Sequence, residues 1–231
     1  MAVFDTLYRD VGEYFGREPD ALLTRFEREI GAGARAPRAG SRVLDIGAGQ
    51  GRHALYLARR GHPVDCIETS AVAVEQLRER ASRENLPVRA FPVDFETYAP
   101  DVEHYPAILL FGLIQELPRD SIGRLMERID AWTHAGSLVL ATAFTTGDPG
   151  YPEVSRTWRE IGRYSFVNDA GFVRTFLEKN ELRGLFDGWE SLHYWEGLGP
   201  EHSHGGDAPH RHGRVEAAFR KEAGPLASSE R

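Results

Sequence analysis

The chain has 231 residues, 41% hydrophobic and 27% charged, with a formal net charge of -7; that suits one large or two small domains with a proper core. No basic run of five occurs, which disfavours bulk nucleic-acid binding, and no 18-residue apolar run or secretory h-region occurs, so a cytoplasmic protein off the membrane is expected. The one cysteine, Cys66, excludes an internal disulfide and, in an apolar stretch, reads as a small buried hydrophobe.

Residues 1–31 read as helical. Phe4, Leu7, Tyr8, Val11 and Phe15 fall at helical spacing, as do Leu22, Leu23, Phe26 and Ile30, and Pro19-Asp20 suits a second helix start. These helices precede the first strand, so residues 1–40 form an N-terminal unit. Tyr8, Tyr14 and Phe15 either cover a ligand or pack that unit onto the body. Residues 31–40 are rich in Gly, Ala and Pro and read as a linker.

Residues 41–221 then alternate. Strands are expected at 43–46, 64–67, 88–93, 107–111 and 137–144, and helices at 52–60, from 71 behind the N-cap Ser70, and around Ile122, Leu125, Met126 and Ile129. Apolar strands alternating with amphipathic helices give an α/β fold, a mostly parallel sheet covered on both faces. From 145 to 169 the pattern loosens into a long loop with a helical stretch near 156–161. Asn180 caps a last helix, and 189–196 with 214–220 read as a closing strand pair. Residues 222–231 read as a flexible tail.

The organising stretch is 42–52, Arg-Val-Leu-Asp-Ile-Gly-Ala-Gly-Gln-Gly-Arg. Glycines at 47, 49 and 51 let the backbone turn sharply and approach a ligand that a Cβ would exclude, and a helix opens behind them with free N–H groups. The dinucleotide fingerprint Gly-x-Gly-x-x-Gly fails, because Arg52 occupies its third glycine. Asp45-x-Gly-x-Gly-x-Gly instead resembles the motif of class I S-adenosylmethionine-dependent methyltransferases. Glu68, 21 residues after Gly47, ends the second strand with a carboxylate able to accept from ribose hydroxyls.

In an open α/β sheet the ligand sits beyond the carboxyl ends of the parallel strands. That rule selects Asp45, Gly47, Ala48, Gly49, Gly51, Arg52, Glu68, Thr69, Asp94, Phe95 and Phe111 as cofactor-binding residues. Asp94 can accept an adenine amine and Phe95 can stack on the ring. The segment 197–213, Gly-Leu-Gly-Pro-Glu-His-Ser-His-Gly-Gly-Asp-Ala-Pro-His-Arg-His-Gly, would hang over the same edge, and it holds four of the nine histidines. Three readings compete. In the first, one or two of His202, His204, His210 and His212 orient or deprotonate an acceptor, with Arg211 and Arg214 able to hold an anionic one. In the second, His-x-His pairs with Glu201 or Asp207 bind a metal. In the third, the loop only satisfies itself. The catalytic reading is carried forward, with no metal ligand assigned. His53, His62, His104 and His134 need no function, and His193 is open.

The segments 43–61 and 180–190 (Asn-Glu-Leu-Arg-Gly-Leu-Phe-Asp-Gly-Trp-Glu) resemble the tellurite-resistance and thiopurine-type methyltransferases. That resemblance implies a Rossmann-like sheet of seven strands, order 3-2-1-4-5-7-6, the seventh antiparallel. It implies S-adenosyl-L-methionine as methyl donor, held by Asp45 and Gly47–Gly51 at the methionine half, Glu68 at the ribose, and Asp94 with Phe95 at the adenine. It implies a small, soft acceptor: a tellurite- or selenite-type oxyanion or a thiol. The protein would then be a monomer or homodimer without nucleic-acid partners. Two departures stand out: Tyr105-Pro106-Ala107 opens strand four where an aromatic followed by Asp is common, and the His-x-His motif is doubled. DNA amino-methylation is disfavoured by Phe-Gly-Leu-Ile after strand four, cytosine C5 methylation by the position of Cys66, and RNA by the lack of a basic face. Two other classes stay open: a non-catalytic protein binding S-adenosylmethionine or metal, and an NAD(P)-dependent oxidoreductase, against which Arg52 weighs.

Overall fold

The structure, a computed structural model, describes residues 4–9, 11–30, 42–203 and 208–223. The expected linker at 31–40 lies outside them, as do His204 and the tail from 224 onward.

In chain order the elements are α1 (Asp5–Arg9), α2 (Ala21–Phe26), β1 (Val43–Ile46), α3 (Arg52–Ala58), β2 (Val64–Ile67), α4 (Ala71–Arg83), β3 (Val88–Phe91), β4 (Ala107–Phe111), α5 (Arg119–Ala131) and β5 (Leu138–Phe144). There follow α6 (Tyr151–Thr157), β6 (Arg159–Gly162), β7 (Ser165–Val167), β8 (Val173–Thr175), α7 (Glu181–Leu185), β9 (Trp189–Leu198) and β10 (Gly213–Lys221). Seven strands form one sheet in the order β3-β2-β1-β4-β5-β10-β9, with β10 antiparallel to both neighbours. With β9 and β10 as its sixth and seventh strands, this is the order the resemblance implies.

The central strands β4 and β5 are near-continuously apolar because both faces are covered. Alternate residues feed two cores. Leu44, Ile46, Ile108, Leu110, Val139 and Ala141 pack with Ile122, Leu125 and Ile129 of α5 and Leu182 of α7. On the other face Val43, Ala107, Leu109, Leu138 and Leu140 pack with Leu22 and Leu23 of α2, Leu55 and Leu57 of α3, and Val74 and Leu77 of α4. Each of the buried Val, Leu and Ile side chains contributes roughly 1.5–3 kcal/mol of hydrophobic free energy. Two helix starts follow the caps read from sequence: Ser70 Oγ accepts the Ala73 N–H at 3.2 Å, and Asp20 Oδ1 accepts the Leu22 N–H at 2.9 Å; Asn180 precedes α7 as expected but in a left-handed conformation with no side-chain cap hydrogen bond.

Two expectations are corrected. The helix expected through residue 15 stops at Arg9, and Gly16 takes a φ of 77° in the irregular stretch before α2. The helical stretch near 156–161 is the end of α6 followed by β6, and β6, β7 and β8 form a second, antiparallel sheet of three short strands. No described helix is long and apolar enough to cross a membrane.

Candidate active site

The chain turns between β1 and α3 through Gly47, Gly49 and Gly51, all with positive φ (71°, 52° and 83°). A Cβ on Gly51 would lie 2.2 Å from Leu77 Cδ1, and one on Gly47 would lie 2.9 Å from Leu113 Cδ1. Only glycine combines that conformation with that closeness. The turn is anchored to the next strand tip: Glu68 Oε2 accepts the Gly49 N–H at 3.0 Å and Oε1 accepts the Ser70 N–H at 2.8 Å. Burial raises the Glu68 carboxyl above its ordinary range, and these N–H donors pull it back down.

The turn forms one wall of a cavity of about 850 Å³. Gly47, Ala48, Gly49, Gly51, Arg52, Glu68, Thr69, Asp94, Phe95 and Phe111 all line it. Of the proposed cofactor residues, Asp45 stands behind the wall. It is fully buried in β1, and its Oδ2 has no hydrogen-bond partner among the described residues. Burial pushes its carboxyl up to about 7, against the pull of the Arg52 guanidinium.

The N-terminal unit forms a second wall through Phe4, Tyr8, Tyr14 and Phe15. Gln50 fastens it to the glycine turn: its Nε2 donates to the Val11 carbonyl at 2.6 Å and its Oε1 accepts the Tyr14 N–H at 2.8 Å. Ser70 Oγ donates to Asp5 Oδ1 at 2.6 Å, and Gln76 Nε2 to the Tyr8 carbonyl at 2.8 Å. Phe172, just before β8, and Arg174 of β8 also line the cavity. Arg174 pairs with Glu116 and lies over the Phe144 ring; burial pushes its guanidinium down to about 10, still cationic at neutral pH.

The third wall comes from the arm between β9 and β10. His202, His210, His212 and Arg214 line the cavity. His202 and His210 face each other across an antiparallel bridge, each N–H donating to the other's carbonyl at 2.9 Å. The His212 ring stacks on Phe144 at 4.1 Å, and its Nδ1 donates to Asp148 Oδ2 at 2.9 Å. Arg214 is held by Asp20 at 3.2 Å and Glu216 at 2.7 Å. Arg211 is exposed and not among the lining residues, whereas Arg214, the other arginine read as able to hold an anion, lines the cavity.

Several cavity residues were not singled out from sequence. Asp148 lies in an Asp-Pro-Gly turn and read only as turn chemistry. Arg174 sits in a short strand without periodicity. His53 follows the glycine turn directly, a position that could have marked it; it packs against Phe111 at 4.2 Å, and burial holds its imidazole well below the usual range, hence neutral. His62, His104, His134 and His193 do not line the cavity.

Residues 43–136 match the protein family described as a methyltransferase domain. Hemagglutinin 1 of Eikenella corrodens is 28% identical over 164 residues, 70% of this chain and 48% of that protein. A probable S-adenosyl-L-methionine-dependent methyltransferase TehB of Haemophilus influenzae (strain 10810) is 28% identical over 162 residues, 70% of this chain and 50% of that protein. The crystal structure of TehB from Haemophilus influenzae superposes with a TM-score of 0.66 at 21% identity, over 95% of this chain and 67% of that one, a likeness of fold. The chain spans about half the length of the curated relatives it matches.

Proposed function

We propose that this chain carries a class I S-adenosylmethionine-dependent methyltransferase domain and methylates a small molecule with a soft nucleophile, a tellurite- or selenite-type oxyanion or a thiol. One observation carries the reading: the glycine turn with its Glu68 anchor and the histidine arm line a single cavity.

S-adenosylmethionine, when bound, supplies a methyl on a sulfonium that is already an excellent leaving group. The turn at 47–51 would face the methionine half largely with backbone, since a Cβ at Gly47 or Gly51 would collide with its neighbours. Glu68, already oriented by two N–H donors, would accept from the ribose hydroxyls. Asp94 and Phe95 line the same wall and suit the adenine. The chain's remaining work is alignment of the acceptor and removal of its proton. His202, His210 and His212 serve there, beside Arg214. The aromatic wall of the N-terminal unit would act as a cover that keeps water out. We place the activity in the cytoplasm, in a monomer or homodimer.

Calorimetry of the full chain with S-adenosylhomocysteine tests the donor half: saturable one-to-one binding is expected, lost in Gly49→Arg, and the absence of binding rejects the reading. Labelled methyl transfer to tellurite, selenite and a panel of thiols then tests the acceptor class.

A further inference from the structure

We propose that His202, His210 and His212 bind a divalent transition-metal ion in the cavity wall, with an open coordination position toward the acceptor space. The sequence reading had assigned no metal ligand.

The three rings converge. One ring nitrogen from each lies within 4.8 Å of the others. Ring centroids are 4.7 Å apart for His202 and His210, 5.2 Å for His202 and His212, and 4.9 Å for His210 and His212, at mutual angles of 47–79°. Rings inclined this way aim at a common point rather than stack. The backbone explains the convergence: directly bridged residues present side chains to the same face, and a residue two positions along an extended strand does so too. His202 and His210 are the bridged pair, and His212 lies two positions on.

The second observation is the tautomer. His202 Nδ1 lies 3.1 Å from the Pro200 carbonyl, His210 Nδ1 2.9 Å from the Ala208 carbonyl, and His212 Nδ1 2.9 Å from Asp148 Oδ2. A carbonyl oxygen only accepts, so in the first two rings Nδ1 carries the hydrogen; the Asp148 carboxylate, which also accepts the Gly213 N–H at 2.9 Å, places it there in the third. In a neutral imidazole the lone pair able to ligate is then on Nε2 in all three. Metal-bound histidines are oriented in this way, their other nitrogen donating to a carbonyl or carboxylate. His212 with Asp148 has the carboxylate–histidine form of that arrangement.

Three imidazoles suit zinc or a neighbouring transition ion rather than magnesium or calcium, which prefer oxygen. Three protein ligands leave a fourth position for solvent or substrate. A tetrahedral ion at about 2.0–2.1 Å from each nitrogen needs them about 3.4 Å apart, so the rings would draw together on loading. A thiol bound at the open position would lose its proton to solvent and present a thiolate. That last role rests on the methyl-transfer reading and, with all three lone pairs on the ion, takes the place of direct proton removal by an imidazole; ion binding rests on the histidine arm alone.

The test is calorimetry with zinc chloride on untagged, chelator-treated full-length protein, alongside the visible spectrum with cobalt(II) in zinc's place. One ion per chain is expected, with the intense cobalt bands of a four-coordinate site. His210→Ala and His212→Ala should each weaken zinc at least 100-fold, and Asp148→Asn about 10–100-fold. S-adenosylhomocysteine binding is measured on every sample as an independent readout of folding and of the donor site. Failure of the wild type to bind zinc while it binds S-adenosylhomocysteine overturns the metal site. So does undiminished zinc affinity in the combined His202→Ala, His210→Ala, His212→Ala variant. Zinc binding without S-adenosylhomocysteine binding supports the metal site and counts against the methyl-transfer reading alone.

Discussion

The two ends of the cavity are built by opposite means. At the glycine turn the working surface is backbone. Its position is set by β1, whose four residues are all buried, and by a loop too tight to admit a Cβ at two of its three glycines. At the histidine arm the working surface is side chain. His202 is exposed, and the described part of the arm is spanned by one bridge between extended residues. The lesson is that a ligand read by main chain demands a fixed path, whereas a ligand read by side chains demands only that the right groups meet. The first end tolerates little change in shape, and the second little change in residue type.

The sharpest way to break that contrast is to give the turn one methyl group. Gly51→Ala places a Cβ against Leu77 in a left-handed conformation. Strain and overpacking together should cost about 3 kcal/mol, lowering Tm by roughly 6–12 °C for a chain of this size, and S-adenosylhomocysteine binding should vanish. A thermal scan with calorimetry checks this; normal binding would show that the path of the backbone is not what matters. Glu68→Ala comes next. It leaves the Gly49 and Ser70 N–H groups without their carboxylate, and S-adenosylhomocysteine affinity should fall about 10–100-fold, which is about 1.4–2.8 kcal/mol.

Asp45 gives an effect visible only against pH. Its folded carboxyl titrates near 7, above the ordinary carboxylate range. Below about pH 4 it is protonated in folded and unfolded chains alike, and its contribution is fully present. As pH rises toward 7 the unfolded chain ionises freely while the folded one resists, so stability is lost across that interval. The slope is at most about 1.4 kcal/mol per pH unit. Urea midpoints of the unliganded protein between pH 5 and 8 should show the decline, and Asp45→Asn should flatten it. The smallest effect belongs to Arg211→Ala. Its exposed side chain is not among the lining residues, so labelled methyl transfer to the best acceptor should change less than about twofold.

What sequence revealed follows the same division. The glycine spacing, the carboxylates at successive strand tips and the apolar runs could be read because sheet geometry converts spacing directly into position. Ser70 and Asp20 were legible as caps for the same local reason. The second sheet was not: β6, β7 and β8 are three or four residues long, and β6 is largely exposed, so no alternation accumulates. The histidine cluster was visible as composition, but its convergence depends on a bridge between residues eight positions apart. Asp148 was hidden because its partners, His212 and Gly213, lie more than sixty residues away.

Gly213 has a mechanical consequence. Its backbone crosses the 147–148 peptide so closely that a Cβ would sit 2.3 Å from Gly147 C and Asp148 N, and its carbonyl accepts the Thr145 N–H at 2.8 Å. The crossing extends the β5–β10 pairing, which ends at Arg214 and Phe144, and ties the arm to the 145–150 turn. Any swing of the histidine arm must drag the 145–150 turn with it, so His212 and Asp148 would travel together and their hydrogen bond would survive the stroke.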